Sequence, residues 1–281
     1  MREKALRGLG GLPPFSPILN KLLASLASED VSFARLGDLL EKDTVVAGNI
    51  LHLVNSALYA RSGTVNSVRH AVSLMGINKL RNAVLGMSVT RSWSQARPAA
   101  SWSMVRFNLH SAATAILSDM VAQRVPVDYP EGAFVAGLMH DVGRLLIAVG
   151  LPEEYDGVLQ HHRLANQSTV ESEMAVLGFA HPELSSEALA SWKLPEPIQA
   201  AVREHHAPPE TGPGAKLSLS SVVAAADVYV NSIGVSIVSG DVAQAGADAQ
   251  AIQRLGLEST RLEDLLGEFQ TEFESMTPFF R

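Results

Sequence analysis

Five histidines and two aspartates recur along the chain at places where they could share a divalent metal. His140 and Asp141 sit inside VAGLMHDVGRLLIAV, an apolar stretch in which a charged pair is costly to bury without a partner. His110 lies within FNLHSAATAIL, His181 stands directly before a proline, His205 and His206 close a helical segment, and Asp227 interrupts SSVVAAADVYV. Imidazole nitrogen and carboxylate oxygen together suit Mn, Fe, Co, Ni or Zn. A carboxylate bridging two such ions would activate a water for attack on phosphorus. Taken singly, each residue has a simpler reading. A lone histidine in a helix is more often a hydrogen-bonded core or rim residue, and Asp227 could just accept a backbone or indole N–H. The joint pattern is what points to metal.

The remaining candidates read as structural. His161 and His162 belong to the polar helix EEYDGVLQHHRL and are expected to be solvated, while His52 and His70 read as packing or surface residues. Glu171 and Glu173 are expected as exposed helix charges, and Trp102 and Trp192 as core aromatics.

Helices must position the cluster, because nearly every apolar pattern has helical spacing. Ile18, Leu19, Leu22, Leu23 and Leu26 line the first. Ser32 is the expected N-cap of a second, with Leu36, Leu39 and Leu40 inward, and Asp43 of a third through Val46, Ile50, Leu51 and Val54. Ser67 opens a fourth, with Val68, Ala71, Val72 and Met75 inward and Gly76 at its end, and a fifth runs through Leu80, Val84 and Val89. The proline in RPAAS, 97–101, separates this unit from a second one. There, helices are expected at 102–123, 131–149, 153–165, 168–176, 182–192, 195–206, 216–233 and 260–275. Pro182 suits a first helical turn, and Thr260 is the expected cap of the last helix, whose inward stripe is Leu262, Leu265, Leu266, Phe269 and Phe273. The fold class is therefore all-α, with two helical subdomains in series. SIVSG, 236–240, is the one ambiguous stretch, and 207–216 is a loop by composition.

Bulk composition narrows the partners. A net charge of −7 disfavours a nucleic-acid binder that works by neutralising phosphates. The chain has no cysteine, which removes disulfides and thiolate chemistry and fits a reducing compartment. The first residues lack the apolar core of a signal peptide, and no apolar run is expected to approach the roughly 20 residues that span a bilayer. The expected location is the cytoplasm, with no membrane partner.

The order His110, His140–Asp141, His181, His205–His206, Asp227 resembles the metal-site order of the HD superfamily of phosphohydrolases. The flanking text narrows the likeness. DTVVAGNILHLVNSALYARSGTVNSVRHAVSLMGINKLRNAVLG looks like the N-terminal half of the HDOD domain, the HD-related output domain. That half runs through an asparagine-serine-alanine turn, here Asn55–Ser56–Ala57, and a helix ending in leucine-glycine, here Leu74-Met75-Gly76. GLMHDVGRLLI, HPELSSEALASWKLPEPIQAAVREHH and AAADVY continue the pattern, so that the resemblance covers about residues 12–235.

That resemblance implies an N-terminal helical subdomain over about 12–97, an HD-like bundle over about 101–235, and a helical extension over 236–281 on the same body. It implies His110, His140, Asp141, His181, His205, His206 and Asp227 as metal ligands, with Asp141 bridging two ions. HDOD domains are regarded as signalling output or scaffold modules, which implies a bacterial, non-catalytic regulatory protein with signalling proteins or a small nucleotide as partners, and room for a homodimer. The alternative is a metal-dependent phosphohydrolase acting on a nucleotide or phosphoester, with Asp141 and Arg144 as its catalytic residues. Active relatives carry glycine-lysine after the HD pair, where this chain has Gly143–Arg144. Ala207-Pro208-Pro209 follows the histidine pair in place of the glutamate of the cyclic-di-GMP phosphodiesterase branch, and that branch's glycine-tyrosine-proline loop is absent. No receiver or sensor domain is recognisable in the chain.

Overall fold

The computed structural model describes residues 1–12, 17–24, 40, 43–55, 64–212, 214–238 and 248–281. Ser32, Leu26, Leu36, Leu39, Ser56, Ala57 and the end of SIVSG lie outside the described residues. Asp43 caps as expected, its Oδ1 accepting from the amides of Val45 and Val46 at 3.1 Å each. It opens Thr44–Val54 (α3), which follows Arg2–Arg7 (α1) and Pro17–Ala24 (α2). Ser67 accepts from the His70 amide to start Val68–Met75 (α4), and Gly76 at φ 80° turns the chain into Ile77–Trp93 (α5). Of the inward positions read from the sequence, Leu19, Leu22, Ile50, Val68, Ala71, Leu80, Val84 and Val89 are among those buried, while Leu51, Leu266 and Phe273 are half-buried. Helix α1 was not anticipated from the sequence.

The second unit consists of Met104–Ala122 (α6), Ala133–Met139 (α7), Val142–Gly150 (α8), Pro152–Ala165 (α9), Thr169–Leu177 (α10), His181–Ser191 (α11), Glu196–Glu204 (α12) and Leu219–Ser232 (α13). Asp248–Gln253 (α14) packs on α13, and Ser259–Met276 (α15) packs on α6. All described regular structure is helical, beside one isolated bridge between Val127 and Leu217. Thr260 is not the cap of α15. Glu258 is extended, at φ −64° and ψ 147°, so helical geometry already begins at Ser259 and Thr260 falls inside the first turn.

One long helix was expected over 131–149, but the structure breaks it at His140 and Asp141. Tertiary bonds cause the break. Ser185 Oγ donates to the His140 carbonyl at 2.7 Å and accepts the Gly143 amide at 2.9 Å, drawing off two main-chain groups that a continuous helix would use. The stretch Pro130–Gly150 also corrects the hydropathy expectation. At 21 residues, with an 18-residue window of mean hydropathy 1.5, it is long and apolar enough to cross a membrane, yet 94% of that window is buried inside the protein. It is the centre of the core. Gly137 lets α7 press against α6, since a Cβ there would stand 2.8 Å from the Thr114 carbonyl oxygen and from Ala115 Cα.

Candidate metal centre

Six helices and their ends bring the seven side chains together. His110 projects from the middle of α6, His140 and Asp141 from the break between α7 and α8, and His181 from the first turn of α11. His205 and His206 follow the last residue of α12, and Asp227 comes from α13. They form two adjoining groups, Asp141 with His181, His205 and His206, and His110 with His140 and Asp227, the donor atoms within each lying within 4.8 Å of one another. Asp141 faces both. Its Oδ1 is 2.9 Å from His181 Nε2 and 3.8 Å from His205 Nε2, while its Oδ2 is 3.7 Å from the Nε2 atoms of both His110 and His140. Asp227 Oδ1 lies 3.1 Å from His110 Nε2 and 3.6 Å from His140 Nε2.

The other ring nitrogens explain the orientation. Nδ1 of His110, His140 and His205 stands 2.7–2.8 Å from the carbonyl oxygens of Val235, Gly137 and Val202. A carbonyl only accepts, so these Nδ1 atoms carry a proton and each ring turns its Nε2 inward. His110 Nε2 and His140 Nε2 are then 3.2 Å apart, an arrangement that calls for a cation or proton between them. His205 Nε2 is fully buried and has no hydrogen-bond partner. An unsatisfied acceptor of this kind fits a metal ligand set.

Glu173 corrects the sequence reading. It is not an exposed helix charge but is only 2% exposed, and its Oε2 accepts both the His181 amide at 2.8 Å and His181 Nδ1 at 2.7 Å. Glu171, by contrast, is exposed and completes a capping box with Ser168. The missed signal was register. Glu173 precedes the buried Leu177 by four positions and so shares its helical face.

Charge strengthens the metal reading. Asp141, Asp227 and Glu173 are three buried carboxylates, opposed in the cluster by the buried guanidinium of Arg144, whose NH1 bonds Asp141 Oδ2 at 3.1 Å. A divalent cation or protonated imidazoles must supply the balance. Burial by itself would raise the Asp141 carboxyl, but His140, His181 and Arg144 outweigh it and hold it well below the usual range. Asp227 is likewise held low by His110 and His140 against the effect of burial. Burial opposes charge on His181 too, yet Glu173 and Asp141 lift it to about 9. Burial, then the neighbouring imidazoles, push His205 well down, and burial with His181 brings His206 to about 4.

These shifts predict the pH response of the chelator-treated protein. His181, raised from 6.5, contributes stability that is full below pH 6.5 and lost as pH rises through about 9. His205 and His206, lowered from 6.5, stay neutral while their unfolded forms take up protons, so stability falls as pH drops below 6.5. Urea midpoints of the metal-free protein between pH 5 and 9 should therefore peak near neutrality. Metal loading at pH 7 should release about one proton or more per chain, that of His181 among them, read by calorimetry in buffers of different ionisation enthalpy. A second expected result concerns Glu173. Glu173→Gln keeps an acceptor for His181 but removes the charge, and should weaken metal binding by about 10–100-fold in competition with a chelating indicator.

His161 and His162 are half-buried on α9, with His162 Nδ1 2.6 Å from the Gln167 carbonyl, and neither joins the cluster. His52 packs edge-on against Phe279 and is not part of the cluster. Trp102 is buried against Phe107 and Tyr155, and Trp192 is half-buried.

Comparison with known proteins sets this geometry in a family. The HDOD domain model matches residues 12–208. Asp227 lies beyond the matched residues but completes the cluster. An HDOD domain protein of unknown function from Geobacter sulfurreducens superposes with a TM-score of 0.77 at 22% identity, covering 100% of this chain and 98% of that one. A Shewanella amazonensis SB2B protein provisionally named a phosphohydrolase gives 0.71 at 20% identity, over 99% and 98% of the two chains. A Marinobacter aquaeolei VT8 protein provisionally named for signal transduction gives 0.71 at 21% identity, over 96% of this chain and 60% of that one. At these identities the likeness is one of fold. The chain also spans only 40% of the length of a curated relative, an uncharacterized protein of Treponema pallidum strain Nichols, 22% identical over 224 residues that make up 75% of this chain.

Proposed function

The chain belongs to the HDOD domain family, and from that premise we propose that it is a bacterial signalling output module whose buried cluster holds a divalent first-row metal without turning over a substrate. The observation that carries this reading is the convergence of inward Nε2 atoms and two carboxylates in one buried pocket. His110, His140, Asp141, His181, His205, His206 and Asp227 would hold the metal, and Glu173 would fix the ring of His181. Such a donor set suits Mn, Fe, Co, Ni or Zn. When bound, the ion supplies Lewis-acid activation of a phosphoester or structural cross-linking of the six helices.

Two features favour the non-catalytic reading. Six of the seven residues are at most 7% exposed, leaving His206 as the exposed edge through which a phosphoester would have to approach. Arg144, the residue in place of a phosphate-gripping lysine, has NH1 engaged with Asp141. We take the working unit to run over about 12–235, since the Val235 carbonyl fixes His110 and Asp227 faces it. The absence of cysteine fits a cytoplasmic setting, and signalling proteins are the proposed partners.

A second reading, a metal-dependent phosphohydrolase, is favoured by the full donor set and by the opening at His206. Assay of the Mn²⁺-loaded full chain on p-nitrophenyl and bis-p-nitrophenyl phosphate separates the two. The output-module reading expects no turnover above a metal-only blank. Turnover that Asp141→Ala abolishes would overturn it in favour of the hydrolase.

A further inference from the structure

A second cavity, of about 640 Å³, lies between the N-terminal helices and α6, with Phe279 closing one side. It is within the roughly 300–1,000 Å³ that small-molecule sites occupy. Its wall at α6 includes Asn108, two positions before His110. Residues two apart on a helix point to opposite sides, so the cavity and the metal cluster lie on opposite faces of α6.

The lining is chemically mixed in a particular way. Met87, Met104, Val46 and Phe279 give a soft apolar wall, while Asn49 and Asn108 add carboxamides and Arg91 a guanidinium at the exposed edge. Two polar atoms there are left over. Ser88 Oγ and Asn108 Oδ1 are buried, in side chains 7% and 5% exposed, and neither has a hydrogen-bond partner. Buried polar atoms are rarely left without one. The neighbouring hydroxyls of Ser92 and Ser94 are already spent on the carbonyls of Ser88 and Arg91, and Asp43 is spent on capping α3.

From this we infer that the cavity is a binding site for a mononucleotide, its base held between the thioether and aromatic side chains and its phosphate at Arg91. A carboxamide offers an adjacent donor and acceptor, which matches the paired donor and acceptor on a base edge. A flat ring suits the thioether and phenyl surfaces. The guanidinium matches a phosphate by charge and fork geometry.

The test is calorimetric titration of the full, metal-loaded chain with AMP, GMP, CMP and UMP. At least one should bind with a Kd below about 1 mM, the weak end of specific recognition. Arg91→Ala, a surface change, or Asn49→Leu should weaken that nucleotide by about tenfold or more, the loss of one charge-assisted or polar contact. Neither variant touches the metal cluster, so a nucleotide bound there would be unaffected by both. No binding of any of the four, or binding unchanged in both variants, overturns the proposal.

Discussion

Asp141→Ala should strip the protein of its metal, leaving less than about a tenth of an equivalent where the parent holds about one or more. Asp141 is the residue whose two oxygens face the two halves of the cluster, Oδ1 toward His181 and His205, Oδ2 toward His110 and His140. Removing it costs more than one ligand. It leaves the Arg144 guanidinium buried without its carboxylate partner, a change of the kind that destabilises by about 3–5 kcal/mol. Asp141→Asn keeps the shape and one oxygen donor, so it should fold better than the alanine variant while still binding metal far more weakly. Elemental analysis and urea unfolding of the two variants read these effects separately. Full metal content in Asp141→Ala would remove Asp141 from the ligand set.

Gly143→Ala is the second large effect, and it follows from packing alone. A Cβ at 143 would stand 2.1 Å from the His181 carbonyl oxygen and 2.9 Å from Ser185 Oγ. The obstacle is backbone, which cannot rotate aside as a side-chain tip can. Helix α8 would have to withdraw from the start of α11, breaking the Ser185 bridge that joins the Gly143 amide to the His140 carbonyl. Overpacking of this kind costs about 3 kcal/mol or somewhat more. The variant should also bind metal more weakly, because the displaced turn carries His181. Urea unfolding that shows less than about 1 kcal/mol of change would contradict the close approach of the two helices.

What could be read from the sequence divides along a physical line. Local signals were legible: Asp43 and Ser67 as caps, Gly76 as a turn, and the inward stripes of α3 to α5 all follow from short-range rules. The residues that converge in the buried cluster were legible too, because His110, His140, Asp141, His181, His205, His206 and Asp227 are polar residues set in or beside apolar helices. Two features depended on contacts between distant segments and were misread. The break at His140 is imposed by Ser185, 45 residues away, on a stretch whose own composition favours one continuous helix. Glu173 was grouped with Glu171, its neighbour in sequence, although the two lie on opposite sides of α10. Only the burial of Ser172, Glu173 and Leu177 separates a ring-orienting carboxylate from a capping one.

The central claim is that the buried cluster is a metal centre, and elemental analysis of the full chain purified without chelator tests it most directly. The account predicts about one or two equivalents of a first-row divalent metal per chain, lost in Asp141→Ala and restored to the parent protein after chelation by adding Mn²⁺ or Zn²⁺. A parent protein that holds less than about a tenth of an equivalent, and takes up none on reconstitution, would contradict it.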